Sequence, residues 1–197
     1  MSPLGLFRWL AAFAVFFAVP AAQAQAISLT SSGLSPAFRA QLTNPGVHVA
    51  VFFFATTECP ICNRYVPEIE RLDHKYSGQG VRIWWVYPDS TDDAAAIAQH
   101  RKVFSITGAL FPDPPQEAVE LSHATITPEA AVFAVRDGQL REVYHGRIDD
   151  RYIAIGQERP QATRHELEMA IEAALNGRAA PEPGGPPVGC AIIPPQN

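Results

Sequence analysis

An apolar strand that leads directly into two cysteines and an amphipathic helix is the feature that most constrains this chain. Residues 48–54 form an apolar, β-branched and aromatic run, which is typical of a strand buried on both faces. Cys59 and Cys62 follow in the spacing C-x-x-C. Apolar residues then recur with helical periodicity along residues 61–72. This order places the two cysteines where the helix begins.

That position is expected to make the cysteines reactive. Unpaired N–H groups and the positive end of the helix dipole favour a thiolate over a thiol at a helix N-terminus. Cys59 lies nearer the cap and is the predicted nucleophile, with Pro60 suited to the first helical position. Cys62, one turn further along, is predicted to resolve a mixed disulfide. Because the Glu58 carboxylate should oppose ionisation, we do not expect a very low pKa for Cys59.

Two segments of the chain resemble the thioredoxin superfamily. The run C-P-I-C-N-R-Y-V-P is similar to its active-site helix, with Pro67 as the kink proline. Further along, Thr127 and Pro128 resemble its cis-proline loop, which is followed by a strand at residues 130–135 and a hairpin turn at residues 137–138. The resemblance implies an α/β fold, a three-layer sandwich with a central mixed sheet flanked by helices. It also implies that Thr127 and Pro128 belong to the catalytic site and lie against the cysteine pair.

The chain resembles in particular the redoxin group, which includes alkyl hydroperoxide reductase and thiol-specific antioxidant proteins. The segment between a second predicted strand, residues 81–87, and Pro128 is longer than a minimal thioredoxin needs. Two positions differ from thioredoxins, since Phe53 replaces a buried acid and Glu58 replaces an aromatic residue. Proton transfer at the site is therefore expected to differ. The resemblance implies a thiol–disulfide oxidoreductase that exchanges disulfides with protein thiols and disulfides.

Two alternative functions within the same superfamily stay open. A peroxiredoxin-like thiol peroxidase acting on hydroperoxides is one, because Thr56 precedes Cys59 as in the P-x-x-x-T-x-x-C motif, although Phe52 replaces the proline. A copper-binding chaperone is the other, because cysteine and histidine suit copper. His123 and His145 are the histidines expected to approach the site, but the chaperones space their cysteines C-x-x-x-C. We expect neither a cofactor nor a bound metal.

The first 24 residues have the pattern of a signal peptide. Arg8 is the only charged residue among them, residues 9–19 are apolar, and residues 22–24 form a small-x-small cleavage site. The apolar stretch is shorter than the roughly 20 residues of a membrane span, so cleavage is favoured over a retained anchor. We expect a soluble protein that is periplasmic or otherwise exported. Its net charge of −5 argues against nucleic acid as a partner.

The remainder is expected to form one redoxin domain, residues 25–178, and a proline-rich tail, residues 179–197. The chain has three cysteines, so Cys190 stays unpaired when Cys59 and Cys62 form a disulfide in an exported protein. Cys190 lies in a small apolar patch, residues 188–193, which we predict to pack on the domain. We further predict that Cys190 forms no permanent disulfide with either of the other two cysteines. The oligomeric state and the direction of electron flow stay open.

Further elements are predicted from capping residues and periodicity. They are a helix at residues 36–42 capped by Ser35, a helix from the capping residues 89–93 to about residue 104, a short helix at residues 117–122, an edge strand at residues 140–144, and a closing helix capped by Thr163. The charged run at residues 146–152 is placed near the active face, with a solvated loop as the alternative.

Overall fold

A mixed sheet of six strands forms the centre of the fold. The structure, a computed structural model, describes residues 26–30, 34–180 and 182–195, so the predicted signal peptide lies outside the described residues. The strands are β1 (Ala26–Ser28), β2 (Val49–Phe54), β3 (Val81–Tyr87), β4 (Ala109–Pro112), β5 (Ile126–Thr127), β6 (Glu129–Arg136), β7 (Gln139–Gly146), β8 (Tyr152–Ala154), β9 (Gln157–Glu158) and β10 (Cys190–Ala191). The helices are α1 (Pro36–Leu42), α2 (Pro60–Arg64), α3 (Val66–Tyr76), α4 (Ala94–Phe104), α5 (Glu117–Ser122) and α6 (Glu166–Leu175).

The strand order of the main sheet is β1-β7-β6-β2-β3-β4. Strands β2, β3 and β4 run parallel, whereas β6 is antiparallel to β2, and β7 and β1 continue the antiparallel half. Two further pairs lie outside this sheet, β5 with β10 and β8 with β9. Every residue of β2 is buried, as the unbroken apolar run predicts.

Successive side chains of β2 belong to two separate cores, because strand residues alternate between the faces of a sheet. Phe53 packs in the core that contains both C-x-x-C cysteines and residues of α3, α4 and α6. Phe52 and Phe54 pack in the other core, with residues of α1 and α5. Helices therefore cover both faces of the sheet, which confirms the predicted three-layer α/β fold.

The predicted helix that follows the cysteines is divided into α2 and α3. Tyr65 ends the first helix and begins the second, and Pro67 lies in the first turn of α3. Proline has no N–H group and its ring clashes with the preceding turn, so it interrupts a helix at this point. The kink expected from Pro67 is thus confirmed.

Several other predicted boundaries are confirmed. Ser35 caps α1 by accepting a hydrogen bond from the Phe38 N–H, and the Asp93 carboxylate caps α4. The predicted bounds of β3 and α5 match the structure. The hairpin turn at residues 137–138 has positive φ at both positions, as a tight turn between antiparallel strands requires.

Two predictions were wrong. The strand predicted at residues 140–144 is not at the edge of the sheet, because β1 pairs outside it, with Ser28 opposite Gln139. Thr163 does not cap α6, which begins three residues later at Glu166. The backbone N–H and hydroxyl of Thr163 instead donate to the Asp150 carboxylate, both at 2.6 Å. Thr163 therefore bonds to a carboxylate elsewhere in the chain and does not cap the helix.

Strand β4 and the β8–β9 hairpin were not predicted. They are short, and β4 ends at Pro112, in a proline-rich segment that the sequence marks as a break. Within the described ranges, no helix is both long and apolar enough to cross a membrane.

Gly80 allows the turn that leads into β3. Its φ is +78°, and its carbonyl accepts hydrogen bonds from the N–H groups of His48 and Val49, at 2.8 and 3.1 Å. A Cβ atom at residue 80 would lie 2.5 Å from the His48 ring. Both the backbone conformation and the close approach therefore require glycine.

We predict that Gly80→Ala lowers the free energy of unfolding by about 1–3 kcal/mol, because a residue with a Cβ is strained at positive φ. Gly78→Ala is the matched control, since a Cβ there meets nothing within 4 Å; its effect should stay within about 0.5 kcal/mol. Urea denaturation measures both. Equal effects of the two substitutions would contradict the role of Gly80.

Candidate active site

The turn between β2 and α2 is fixed by an interaction that the sequence did not reveal. The Thr57 hydroxyl donates to the Asp92 carboxylate at 2.5 Å, and the Thr57 N–H lies 3.2 Å from the same oxygen. Asp92 is buried, and burial raises its pKa above the usual range. It lies among several acidic residues that the sequence suggested only as helix caps. Asp92 thus holds the loop that carries Cys59.

Cys59 is the N-cap residue of α2, as predicted. Its backbone is extended, with φ −77° and ψ 111°, and Pro60 follows in the first turn of the helix. The Cys62 N–H lies 3.4 Å from Cys59 Sγ. The sulfur therefore takes the place of the side-chain oxygen that usually caps a helix. Cys59 is 2% exposed and Cys62 is fully buried.

The surroundings of Cys59 lower its pKa to about 6. The largest cause is a hydrogen bond from the Cys62 thiol, and the N–H groups of Cys62 and Ile61 and the Cys190 thiol add to it. Burial acts in the opposite direction. Glu58 is exposed and is not among the main causes, so the effect expected from its carboxylate is not found. The thiolate of Cys59 predominates at neutral pH.

The pKa of Cys62 is raised, whereas that of Cys59 is lowered. Burial raises its pKa well above the ordinary value, and the negative charge and hydrogen bond of Cys59 raise it further. The backbone N–H of Thr56 and the hydroxyl of Thr127 act weakly in the other direction. The pair therefore holds one thiolate and one thiol, with the proton on the buried sulfur.

The Thr127–Pro128 bond is cis, which confirms the prediction for this loop. The Thr127 carbonyl oxygen lies 3.7 Å from Cys59 Sγ. Both residues of the loop are buried. Thr127 thus faces both cysteines, with its carbonyl towards Cys59 and its hydroxyl towards Cys62.

A cavity of about 340 Å³ opens beside Cys59. Its walls are largely apolar, and one wall is the β8–β9 hairpin, where Ile155 is 76% exposed. An ion pair between Arg64 and Glu158, at 3.5 Å, borders it. The lining residues are Cys59, Pro60, Ile61, Arg64, Tyr152, Ile155, Gly156, Glu158, Gly189 and Cys190.

The charged run predicted near the active face does reach it. Tyr152 lines the Cys59 cavity and packs edge-on against Tyr65, with 5.6 Å between the ring centroids. The Tyr65 hydroxyl donates to the buried Asp149 carboxylate at 2.6 Å. The carboxylate therefore joins this loop to the end of α2.

Sequence comparison identifies the family. The AhpC/TSA family model matches residues 18–143, more than half of the chain. The protein belongs to the AhpC/TSA family. No curated protein shows significant similarity to this AhpC/TSA protein.

Solved structures show the same fold in other proteins. A hypothetical protein from Sinorhizobium meliloti is 20% identical, with a TM-score of 0.65, and the alignment covers 86% of this chain and 91% of the other. An uncharacterized conserved protein from Geobacillus kaustophilus is 24% identical, with a TM-score of 0.61, and the alignment covers 76% and 79% of the two chains. At these identities the similarity establishes the fold.

Thr56 and Phe52, the two residues that bear on the peroxidase alternative, differ in their position relative to Cys59 in this AhpC/TSA protein. Thr56 is in the cysteine turn, where its carbonyl accepts a hydrogen bond from the Cys59 N–H at 3.3 Å. Phe52, at the position of the motif's proline, packs in the core on the opposite face of the sheet from Cys59. Phe52 therefore cannot shield the cysteine as that proline does.

The histidines expected near the site were the wrong ones. His123 and His145 line a separate cavity with Leu121 and Glu142. His145 pairs with Glu129 at 2.9 Å, which raises the pKa of the histidine. These two histidines therefore do not line the Cys59 cavity.

A different histidine, His100, belongs to the polar cluster below the site. Its Nε2 lies 2.7 Å from Asn63 Oδ1 on α2, and its Nδ1 lies 3.0 Å from the Tyr87 hydroxyl. Burial lowers the pKa of His100, which favours the neutral ring. Its place on the buried side of α4, with Ile97 and Phe104, was the signal in the sequence that could have identified it.

We predict that alkylation of Cys59 by iodoacetamide is half-maximal near pH 6, because only the thiolate reacts. Cys62→Ala should move the midpoint towards 9, since it removes the strongest hydrogen bond to the thiolate, whereas Cys62→Ser keeps a donor and should move it less. Glu58→Gln is the control and should leave the midpoint unchanged. Mass spectrometry of the Cys59 peptide measures the rates. A wild-type midpoint near 9 would contradict the assignment.

Proposed function

We propose that this protein is an exported thiol–disulfide oxidoreductase that exchanges disulfides with protein partners. The observation that carries the proposal is the unequal cysteine pair at the start of α2, a Cys59 thiolate capping the helix and a protonated Cys62 one turn below it. A nucleophile and a resolving thiol are the two groups that disulfide exchange requires.

In the first step, the Cys59 thiolate attacks one sulfur of a partner's disulfide. A bond forms between Cys59 and that sulfur, the partner's disulfide breaks, and the other partner sulfur leaves as a thiolate. The attacking group needs no separate base, since the thiolate predominates at neutral pH.

In the second step, Cys62 attacks Cys59 Sγ and releases the partner's remaining thiol. The negative charge on Cys59 raises the Cys62 pKa in the free dithiol. That charge disappears once Cys59 is part of the mixed disulfide, so Cys62 ionises more readily at the moment when it must react. The N–H of Thr56 and the hydroxyl of Thr127 remain to support its thiolate.

The surroundings of Cys59 suit a protein partner. The cavity wall is apolar, and Ile153 and Ile155 of the β8–β9 hairpin are exposed. Exposed apolar side chains grouped around a reactive residue are typical of a surface that contacts another protein. The pattern of residues 1–24 supports export, where disulfides of partner proteins form and persist.

We predict that Cys62→Ser combined with Cys190→Ser traps partner proteins in mixed disulfides through Cys59, because no second thiol remains to release them. Cys59→Ser combined with Cys190→Ser is the matched control and should trap none, since Cys62, buried and protonated, is then the remaining thiol. Non-reducing gel electrophoresis with mass spectrometry of the adducts measures trapping. Trapping that persists in the Cys59→Ser, Cys190→Ser protein would reverse the roles of Cys59 and Cys62.

Hydrogen peroxide distinguishes the alternative activity. Because Phe52 packs away from Cys59, stopped-flow mixing with peroxide should oxidise Cys59 slowly, whereas a protein disulfide should oxidise the pair faster. The opposite order of rates would favour a peroxidase.

A further inference from the structure

The C-terminal tail returns to the candidate active site and pairs with its edge. We call residues 188–193 the tail strand. Its central residues form β10, which runs antiparallel to β5, with Cys190 opposite Thr127 and Ala191 opposite Ile126. Val188 packs against the core that contains Cys59, and Ile192 packs against the other core. The packing predicted for this segment is thus confirmed.

Polar contacts hold the tail strand in addition to the strand pairing. The Ile192 N–H donates to the Thr125 carbonyl at 2.9 Å, and Gln116 Nε2 donates to the Ile193 carbonyl at 2.6 Å. The Thr127 hydroxyl lies 3.5 Å from the Cys190 carbonyl oxygen. Prolines at positions 187 and 194 bound the segment, and they have no N–H with which to extend the pairing. The tail strand is therefore held in one register, but the paired segment is only two residues long.

Gly189 passes against the cis-proline loop so closely that a side chain is excluded. A Cβ atom at this position would lie 2.0 Å from the Thr127 carbonyl oxygen and 2.9 Å from Pro128 Cδ. The obstacle is backbone, which cannot move aside as a flexible side chain would. Glycine before the cysteine is therefore a condition for a strand to occupy this register.

The tail strand brings Cys190 to Cys59. Both cysteines line the same cavity, and the residue opposite Cys190, Thr127, is the one whose carbonyl faces Cys59 Sγ. The Cys190 thiol helps to lower the pKa of Cys59, and burial and the Cys59 charge raise the pKa of Cys190. Cys190 is exposed, whereas Cys59 and Cys62 are buried. The tail therefore presents a third thiol to the nucleophile from the solvent side.

We propose that the tail strand is an internal substrate: Cys190 exchanges reversibly with Cys59, and the strand occupies the β5 edge on which a partner's Gly-Cys segment docks. This inference rests on the proposed disulfide exchange and adds to it the form of the partner and its regulation. A partner segment is extended, has glycine immediately before its cysteine, and continues with apolar residues. It reaches Cys59 only when it displaces the tail strand.

The exchange is balanced within the protein. When Cys59 and Cys62 form a disulfide, the Cys190 thiolate attacks Cys59 Sγ, a Cys59–Cys190 bond forms, and the Cys59–Cys62 bond breaks. Cys62 leaves as a thiolate and takes up the proton that Cys190 has released. Attack by Cys62 on Cys59 reverses the step. No electrons are gained or lost, and Cys59–Cys62 remains the stored form.

The tail strand competes effectively with a free partner for the β5 edge because it is part of the same chain. A tethered segment has an effective concentration of about millimolar, which exceeds that of most free partners. Its short pairing nevertheless allows displacement by a longer partner strand, which can add main-chain hydrogen bonds along the edge. The arrangement selects partners that bind the edge as well as react with it.

The exchange is tested in protein that carries Cys62→Ser, treated with oxidised glutathione. Cys59 first forms a mixed disulfide with glutathione, and Cys190 then displaces the glutathione thiol. We expect Cys59–Cys190 to be the main product, found by mass mapping without reductant. Adding Gly189→Ala should slow its formation at least about tenfold, because the aligned strand is lost. Adding Gly185→Ala is the matched control, since its Cβ would meet only the end of the Arg147 side chain.

The competition is tested separately in protein that carries Cys190→Ser, so that Cys59 and Cys62 are the remaining thiols. The probe is a peptide of sequence PVGCAII whose cysteine forms a disulfide with thionitrobenzoate, which absorbs when released. Adding Gly189→Ala should speed the reaction at least about tenfold by freeing the edge, and adding Gly185→Ala should not change it. A PVACAII probe should react more slowly than PVGCAII with the Gly189→Ala protein.

Each outcome decides one question. If Cys62→Ser protein keeps glutathione on Cys59 without a Cys59–Cys190 bond, or if Gly189→Ala changes neither rate, the internal substrate is refuted while disulfide exchange still stands. If no variant reacts with the PVGCAII probe and the Cys62→Ser, Cys190→Ser protein traps no partner, the proposed function itself fails. Equal unfolding midpoints for the Gly189→Ala and Gly185→Ala proteins confirm that the comparison concerns the tail and not folding.

Discussion

A thiolate at the buried start of α2 is the constraint on which the site depends. Cys59 is 2% exposed, and an ion with so little contact with water is stable only if local groups replace its hydration. The N–H groups of the first helical turn and the Cys62 thiol do so. Because the proton then resides on Cys62, one local arrangement establishes both the nucleophile and its protonated neighbour. Strand β2, buried on both faces, ends at Phe54 and so brings the chain to Cys59 five residues later.

Several long-range polar contacts keep that turn in place. Asp92 binds Thr57 on one side of the cysteines, and Asp149 binds the Tyr65 hydroxyl on the other. His100 connects Tyr87 of β3 with Asn63 of α2 below them. Buried polar groups are costly unless paired, so such contacts hold loops to one geometry. Phe53, which stands where thioredoxins have a buried acid, packs edge-on against Trp85 with 4.8 Å between the ring centroids.

The cis-proline loop contacts both Cys59 and the tail strand. The Thr127 carbonyl faces Cys59, while β5 offers its free edge to β10. An unpaired strand edge is a template for another strand, and here a segment from the end of the same chain occupies it. Gly189 is the residue that permits this approach, since any Cβ would collide with the Thr127 backbone. Access to Cys59 is therefore linked to the position of residues far away in the sequence.

Local patterns in the sequence determined the central strand, the cysteine turn, the kink at Pro67 and the fold class, because burial periodicity, caps and proline act over a few residues. They also indicated the cis bond of Pro128 and the docking of residues 188–193, through a resemblance and an apolar patch. Tertiary structure alone decided which groups meet: β1 outside β7, Asp150 in place of a cap at Thr163, and His100 below the cysteines. It also decided that Cys190 lies beside Cys59. These contacts join residues that the chain separates widely, and only the packing of the sheet and its helices brings them together.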